Sequence, residues 1–125
     1  MSTILIIEGD TDLAEDLQEA LLENGYEVLM ASTAKDAMNQ LCGRQIDLCL
    51  LDTRLPDGSG YELCAKIRDF FPGFIILLTV YTKEEEVARD LQTGADDYIM
   101  KPFKLKELLE QIRKQLAQVK DCRNL

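Results

Sequence analysis

Four apolar runs of this chain end at polar residues that could take part in chemistry. Glu8 and Asp10 follow the first of these runs, Asp52 follows the second, Thr79 the third and Lys101 the last. Carboxylates that lie side by side repel one another unless a cation with a preference for oxygen ligands sits between them. Mg²⁺ is such a cation, so the acidic members of this set predict a magnesium site.

The same set contains the residue types that phosphoryl transfer needs. A carboxylate can act as a nucleophile toward phosphorus, while a metal ion, a hydroxyl group and an ammonium group offset the negative charge on the phosphoryl oxygens. Asp52 fits the first role, and Thr79 and Lys101 fit the last two. The residue types therefore indicate a site at which Asp52 handles a phosphoryl group.

Composition excludes several other kinds of site. The chain has no histidine, which excludes a Ser-His-Asp triad, an imidazole base and any zinc site that needs histidine. Its net charge of −9 argues against direct binding of nucleic acid by this domain. No C-x-x-C pair is present, so we expect reduced thiols at all four cysteines, which are Cys42, Cys49, Cys64 and Cys122.

Length and hydropathy predict one domain that does not enter a membrane. With 125 residues and 46% hydrophobic content, the chain can form a core of its own. No stretch approaches the roughly 20 apolar residues of a membrane span, and the first residues lack the charged start of a signal peptide. We expect a soluble, cytoplasmic protein, in which the polar residues 119–125 could begin a linker to an output domain.

Strand and helix signals alternate through five units, which predicts a parallel sheet covered by helices on both faces. In such sheets ligands bind beyond the carboxyl ends of the strands, where the four polar positions fall. The fourth helix, near residues 84–91, has the weakest apolar face. The predicted strands are residues 4–7, 26–31, 46–51, 74–78 and those around 98–100.

Helix boundaries are marked by capping residues. Asp10 or Thr11 can cap the first helix, and Ser32 or Thr33 the second. Gly25 predicts a left-handed stop after the first helix.

Together these residues closely resemble the receiver domain of bacterial response regulators, the CheY-like family. The resemblance covers essentially the whole chain, and it rests on the order and spacing of several motifs. The segments 94–98 and 101–103 are most similar to receivers of the OmpR/PhoB winged-helix transcription factors. The motifs are the acidic residues after the first strand, Asp52 in D-x-x-L-P-D-G-S-G, Thr79, G-A-D-D-Y and K-P-F.

The resemblance implies a fold. Receivers are α/β proteins with a flavodoxin-like, doubly wound sheet of five parallel strands in the order 2-1-3-4-5. Five helices cover this sheet in a three-layer α/β/α arrangement. A cis peptide bond between Lys101 and Pro102 is also implied, and residues 1–125 would form a single receiver domain.

The resemblance also implies a function. Asp52 would accept a phosphoryl group from the phosphohistidine of a sensor histidine kinase, and the domain would then change conformation to control an output such as transcription. Mg²⁺ would be held by Glu8, Asp52 and the main-chain carbonyl of Arg54. The domain would not be an enzyme beyond its own phosphorylation and slow dephosphorylation. The implied switch residues are Thr79, Lys101 and Tyr98.

One departure from the family pattern affects the metal site. Gly9 stands where receivers usually have a second acid that binds the metal, and Asp10 is an alternative ligand. Two readings follow: a phosphoacceptor with weakened Mg²⁺ binding, or a pseudo-receiver that docks partners or dimerises without phosphorylation. A small phosphatase-like enzyme is a third reading, but no lid segment and no spare acid or base supports it.

Other positions bear on phosphoryl access and on dimerisation. Arg54 and Tyr81 occupy positions that shape access to the phosphoryl group in this family, and the Arg54 guanidinium could instead pair with Glu8 or Asp10 in the absence of metal. In the resembling subfamily, the fourth helix, fifth strand and fifth helix form a homodimer interface. Lys83, Asp97 and Glu107 match its charged positions, although they could equally be ordinary surface charges, and Val87 and Gln111 replace two of its arginines.

Overall fold

The fold is a five-stranded parallel sheet with helices on both faces. The structure is a computed structural model, and it describes residues 1–80 and 93–123. The strands are β1 (Thr3–Ile7), β2 (Glu27–Ala31), β3 (Leu48–Asp52), β4 (Arg54–Leu55), β5 (Gly58–Ser59), β6 (Phe74–Thr79) and β7 (Asp97–Met100). The main sheet has the order β2-β1-β3-β6-β7, while β4 and β5 form a separate antiparallel hairpin. Counting main-sheet strands alone, the expected order 2-1-3-4-5 is confirmed.

Four helices lie within the described residues. They are α1 (Thr11–Glu23), α2 (Ala34–Gly43), α3 (Gly60–Arg68) and α4 (Leu105–Arg123). The helix that the sequence predicts near residues 84–91 falls outside the described residues, as do Tyr81, Lys83 and Val87. The last helix of the sequence prediction is therefore α4.

The start and end of α1 follow the sequence signals. Asp10 is the cap, because its Oδ1 accepts hydrogen bonds from the main-chain N–H groups of Asp12 at 3.0 Å and Leu13 at 3.3 Å. Thr11 is the first helical residue. Gly25 has φ of +86°, which confirms the predicted left-handed stop. For α2 the cap is Thr33, whose hydroxyl accepts a hydrogen bond from the N–H of residue 36 at 3.1 Å.

Two apolar clusters occupy the two faces of the sheet. Successive residues of β3 alternate between them, because side chains of a strand point to opposite faces. One cluster joins the sheet to α2 and α3 through Ala37, Leu41, Leu63 and Ile67. The other joins it to α1 and α4 through Ala14, Leu17, Leu21, Leu108 and Ile112. This packing confirms the three-layer arrangement, and it leaves the carboxyl edge of the sheet to polar residues.

Among the described helices, none is both long and apolar enough to cross a membrane.

Candidate functional site

The sheet places Glu8 beside Asp52. Strands β1 and β3 are parallel neighbours in which Ile7 pairs with Leu51, so the next residue of each strand lies at the same level. The chain leaves β1 toward β2 on one side and returns to β3 on the other, which makes this position the switch point of the sheet. The two carboxyl groups therefore meet in the crevice where open α/β sheets bind ligands.

The same register brings Thr79 and Lys101 to this edge. Asp52 pairs with Leu78 on β6, and Thr79 is the last residue of that strand. Thr79 in turn pairs with Met100 at the end of β7, so that Lys101 is the first residue beyond the sheet. The main-chain N–H of Lys101 donates a hydrogen bond to the carbonyl of Thr79 at 2.6 Å. Four predicted site residues thus lie at the ends of four adjacent strands.

Lys101 bridges the two carboxyl groups. Its Nζ lies 2.7 Å from Glu8 Oε1 and 3.5 Å from Asp52 Oδ2. Glu8 is 2% exposed and Asp52 is 7% exposed, so both carboxyl groups are nearly removed from solvent. A buried charge is costly unless it is paired. Within the described part of the chain, these two buried acids share one ammonium group, that of Lys101.

This shortage of positive charge appears in the protonation of Glu8. Burial and the neighbouring Asp52 carboxyl together raise the pKa of Glu8 from 4.5 to about 7, against the opposing effect of the Lys101 ammonium and the Asp10 N–H group. A neighbouring carboxyl group disfavours the ionised form of Glu8, and a second cation bound between the two groups would stabilise that form. The site is therefore suited to a bound cation.

Gly9 and Asp10 leave the predicted magnesium site with few protein ligands. Gly9 has no side chain, and the Asp10 carboxylate is exposed and caps α1. The Asp10 N–H group also donates to Glu8 Oε2 at 3.1 Å. Within residues 1–80 and 93–123, no three Asp, Glu, His or Cys side chains are grouped so that they could hold a metal ion. Two carboxylates nevertheless fit Mg²⁺, which commonly binds through one or two carboxylates and retains several waters.

The position of Gly9 is restricted by Pro56. An ideal Cβ at Gly9 would lie 3.0 Å from Pro56 Cδ and 3.2 Å from Pro56 Cγ. Such contacts are tight, so an acid at this position would require the proline ring to move by a few tenths of an ångström. An acidic side chain at residue 9 would therefore disturb the packing of the segment that follows Asp52.

The main chain around Asp52 is held closely. Asp52 Oδ1 accepts a hydrogen bond from the Arg54 N–H at 3.1 Å. The Thr53 carbonyl accepts one from the Gly60 N–H at 3.0 Å, where α3 begins. A Cβ at Gly60 would lie 2.0 Å from the Asp52 carbonyl oxygen, so only glycine allows α3 to start against this strand. The main chain at Asp52 is therefore fixed by its neighbours.

The remaining residues that the sequence predicts for switching and access have distinct surroundings. Thr79 is fully buried, and Tyr98 is half-buried and packs against the apolar cluster on the α2 and α3 side of the sheet. The Arg54 side chain is exposed. The bond between Lys101 and Pro102 is cis, as the resemblance implies.

One of the expected dimer positions, Asp97, makes hydrogen bonds within the chain. Asp97 Oδ2 accepts a hydrogen bond from Gln111 Nε2 at 3.1 Å, and the same amide group lies 3.1 Å from the Tyr98 carbonyl oxygen. Glu107 is exposed on α4. Gln111 therefore engages Asp97 within one chain.

Sequence reasoning missed the contact between Asp57 and α2. In the sequence, Asp57 is marked only as the second acid of the D-x-x-L-P-D-G-S-G motif, yet its carboxylate accepts hydrogen bonds from the N–H groups of Ala34 at 2.8 Å and Lys35 at 3.1 Å. An acidic residue in this motif does not indicate a partner 23 residues away. The hairpin of β4 and β5 that presents Asp57 was not predicted either.

Comparison with known proteins identifies a family match over most of the chain. The response regulator receiver domain matches residues 4–113. Among curated proteins, the regulatory protein VanR of Enterococcus faecium is 42% identical over 118 residues, which are 94% of this chain and 51% of VanR. The chain spans about half the length of the curated relatives that it matches.

Solved structures share this fold closely. A two-component response regulator from Clostridium difficile superposes with a TM-score of 0.92 at 31% identity, covering 95% of this chain and 98% of that chain. Response regulator DrrB of Thermotoga maritima, an OmpR/PhoB homolog, superposes with a TM-score of 0.87 at 33% identity, covering 94% of this chain and 54% of that chain.

Proposed function

Because the chain belongs to the response regulator receiver family and has OmpR/PhoB-type relatives, we propose that it is the phosphoacceptor domain of a bacterial response regulator. Proteins of this family are signalling proteins and generally not enzymes. The observation that carries the proposal is the buried set of Glu8, Asp52 and Lys101 at the switch point of the sheet. Its nucleophile, its metal-binding carboxylates and its ammonium group are the parts that phosphoryl transfer requires.

The reaction is transfer of a phosphoryl group to Asp52. A carboxylate oxygen of Asp52 forms a bond to phosphorus while the bond between phosphorus and the histidine nitrogen of a sensor histidine kinase breaks, and the electron pair of that bond remains on the imidazole. Lys101 lies 3.5 Å from Asp52 Oδ2, so its ammonium group can follow the charge onto the phosphoryl oxygens. The main-chain contacts around Asp52 keep the nucleophile in place.

Magnesium would be held by Glu8, Asp52 and the main-chain carbonyl of Arg54. When bound, it offsets negative charge on the carboxylates and the phosphoryl oxygens. Because Gly9 supplies no carboxylate and Asp10 caps α1, we expect weak binding of Mg²⁺. Lys101 would shift its contact from Glu8 toward the phosphoryl group as the negative charge moves.

The switch would depend on Thr79, Lys101 and Tyr98. Thr79 and Lys101 would bind the phosphoryl oxygens, and Tyr98 would turn inward to follow Thr79. Tyr98 is half-buried, so part of its ring surface would be removed from solvent by such a change. Arg54 and Tyr81 would control access of water to the phosphoryl group.

The partners follow from the family and from charge. A sensor histidine kinase would supply the phosphoryl group in the cytoplasm, and transcription would be controlled through a DNA-binding output domain. This domain itself would not contact nucleic acid or a membrane, since a net charge of −9 opposes binding to phosphate backbones and anionic lipid. We propose that residues 1–125 form a single receiver domain and that the end of α4, from about residue 119, leads into a linker to the output domain.

A homodimer is the proposed active form, formed by the faces that carry Lys83, Asp97 and Glu107. We expect this dimer to be weak, because the Gln111 amide already engages Asp97 in the same chain. Replacing Gln111 with arginine should strengthen it, and sedimentation with and without beryllofluoride would measure the change. Equal association of both proteins would argue against this interface.

A pseudo-receiver is the second candidate function. It is favoured by the lack of any three metal-binding side chains grouped together in the described part of the chain. Such a protein would dock a partner without phosphorylation. Retention of Asp52, Thr79 and Lys101 at adjacent strand ends favours the phosphoacceptor instead.

Beryllofluoride binding separates the two functions. This phosphoryl mimic should bind the wild-type protein in the presence of Mg²⁺ and shift the NMR amide signals of Asp52, Thr79 and Lys101. Asp52→Asn should abolish the shifts, and Asp16→Asn, which alters an exposed acid of α1, should retain them. A spectrum that beryllofluoride leaves unchanged at high Mg²⁺ concentration would support the pseudo-receiver.

A further inference from the structure

The Asp57 carboxylate attaches the segment between Asp52 and α3 to the start of α2. Asp57 Oδ1 accepts the Ala34 N–H at 2.8 Å, and Asp57 Oδ2 accepts the Lys35 N–H at 3.1 Å. These are the first two N–H groups of α2, which have no acceptor inside the helix and carry partial positive charge. The two bonds hold the pKa of Asp57 below its ordinary value.

This attachment is separate from the local cap of the helix. The Thr33 hydroxyl accepts the N–H of Asp36 at 3.1 Å, so Thr33 caps α2 from its own side. Asp57 satisfies the two preceding N–H groups from a different part of the fold. The N-terminus of α2 therefore has two caps, of which only one belongs to the segment that follows Asp52.

Three further contacts define the position of this segment. Arg54 N–H donates to Asp52 Oδ1 at 3.1 Å, and Gly60 N–H donates to the Thr53 carbonyl at 3.0 Å. The Pro56 ring lies against Gly9, where a Cβ would approach within 3.0 Å. With Asp57, the segment is held at its start, middle and end, and the Arg54 carbonyl lies between these fixed points.

We propose that Asp57 is a positioning residue for the magnesium site, acting by anchoring residues 53–59 on α2 and so fixing the Arg54 carbonyl relative to Glu8 and Asp52. This inference rests on the proposed function. Gly9 contributes no carboxylate, so the main-chain carbonyl is a larger share of the protein ligands than in a site with three acids. Groups that orient metal ligands commonly change metal affinity by about tenfold or more when they are removed.

Magnesium affinity of matched variants tests the proposal. Asp57→Ala should weaken Mg²⁺ binding about tenfold in isothermal titration calorimetry without any phosphodonor. Thr33→Ala removes the other cap of the same helix end and touches no residue of the 53–59 segment in the hydrogen bonds described. It should lower stability similarly yet keep Mg²⁺ affinity within about twofold. Asp57→Asn, which retains an acceptor oxygen, should fall between wild type and Asp57→Ala.

Hydrogen exchange provides a readout that a merely structural cap would not change. If Asp57 couples α2 to the metal site, Mg²⁺ must stabilise the contact by the same factor by which the contact stabilises Mg²⁺. The Ala34 and Lys35 amides should therefore exchange more slowly with Mg²⁺ in the wild type, and this protection should disappear in Asp57→Ala.

The possible results distinguish failure of the positioning role from failure of the proposed function. Equal Mg²⁺ affinities of wild type and Asp57→Ala, or equal losses in Asp57→Ala and Thr33→Ala, would overturn the positioning role while Asp52 could still be phosphorylated. A wild-type protein that binds no Mg²⁺ would overturn it as well. Failure of Asp52 to take a phosphoryl group, with Mg²⁺ affinity still dependent on Asp57, would overturn the proposed function alone.

Discussion

Two charged clusters at opposite ends of the sheet differ in how well their charges are matched. At the carboxyl end, Glu8 and Asp52 share the ammonium group of Lys101. At the amino end, Arg68 pairs with Asp96 at 3.0 Å. The first cluster has two acids for one cation, whereas the second has one acid for one cation.

The guanidinium of Arg68 has nearly all its hydrogen-bonding capacity used. Nη1 donates to Asp96 Oδ2 at 3.0 Å and to the Gly94 carbonyl at 3.1 Å, and Nη2 donates to the carbonyls of Phe71 and Gly73. Asp96 Oδ2 also accepts the N–H of Ile75 at 2.9 Å. This cluster joins the end of α3 to the starts of β6 and β7, and its charges are matched within the protein.

The difference teaches which charged groups to associate with function. A charge whose partners are complete stabilises the fold, since the protein itself meets its electrostatic needs. A buried pair of like charges with one counter-ion costs free energy that only a further cation or a protonation relieves. The carboxyl end is thus the part of the molecule whose charges are arranged for a ligand.

The largest expected effect on stability comes from disrupting the cluster around Arg68. Arg68→Ala would remove the cation that pairs with Asp96 and the donor to three carbonyl oxygens, and we expect it to lower the free energy of unfolding by about 3 kcal/mol. Urea unfolding measures this change. Arg113→Ala, on an exposed part of α4, should change stability by less than about 0.5 kcal/mol. Equal stability of both variants would contradict a structural role for Arg68.

A second prediction concerns the pH dependence of the incomplete cluster. Since the pKa of Glu8 is about 7 in the folded protein and near 4.5 in the unfolded chain, the folded state binds more protons between these values. Without Mg²⁺, the free energy of unfolding should therefore fall by roughly 2 to 3 kcal/mol as pH rises from 4.5 to 7, and then level off.

Glu8→Gln should remove this fall, because the amide does not titrate. Glu15→Gln, which alters an exposed acid of α1, should retain it. Added Mg²⁺ should flatten the profile of the wild type by stabilising the ionised carboxylate. Urea unfolding in EDTA at several pH values makes the comparison, and a flat wild-type profile in EDTA would mean that the carboxyl end is not short of positive charge.

A third prediction concerns the packing that holds Asp52. Gly60→Ala would place a methyl group 2.0 Å from the Asp52 carbonyl oxygen, so we expect a loss of about 2 kcal/mol in stability and weaker beryllofluoride binding. Gly43→Ala is the matched control, because nothing lies within 4 Å of a Cβ at Gly43. It should be neutral or stabilising by up to about 1 kcal/mol. Similar effects of the two changes would show that Gly60 does not position Asp52.

The smallest expected effect comes from restoring the missing acid. Gly9→Asp should tighten Mg²⁺ binding about tenfold, because affinity rises with the number of charged ligands, once the Pro56 ring has moved aside. Gly9→Asn has a similar size without the charge and should not tighten binding. If calorimetry found equal Mg²⁺ affinities for wild type and Gly9→Asp, Asp10 would already supply the ligand.

Much of the fold followed from local patterns. Buried apolar runs located the main-sheet strands to within one or two residues, and Asp10, Thr33 and Gly25 marked helix ends for reasons of backbone hydrogen bonding. The strand order came from the family resemblance, because periodicity does not specify which parallel strands are neighbours. Local patterns also placed four site residues at strand ends.

The rest depends on contacts between distant residues. The bond of Asp57 to α2 spans 23 residues, and the contact of Arg68 with Asp96 spans 28, so neither leaves a local signature. The direction of a Cβ at Gly9 and the burial of Glu8 likewise arise from packing. The sequence therefore predicts which residues could form the site, while the charge balance that suits it to a cation is a tertiary property.

Intact-mass spectrometry tests the central claim most directly. The protein would be incubated with acetyl phosphate, with and without Mg²⁺, beside Asp52→Asn and the control Asp16→Asn, which alters an exposed acid of α1. We predict a gain of one phosphoryl group that requires Mg²⁺, persists in Asp16→Asn and is absent in Asp52→Asn. No gain in mass over a wide range of Mg²⁺ concentration, in a protein that also fails to bind beryllofluoride, would contradict the account.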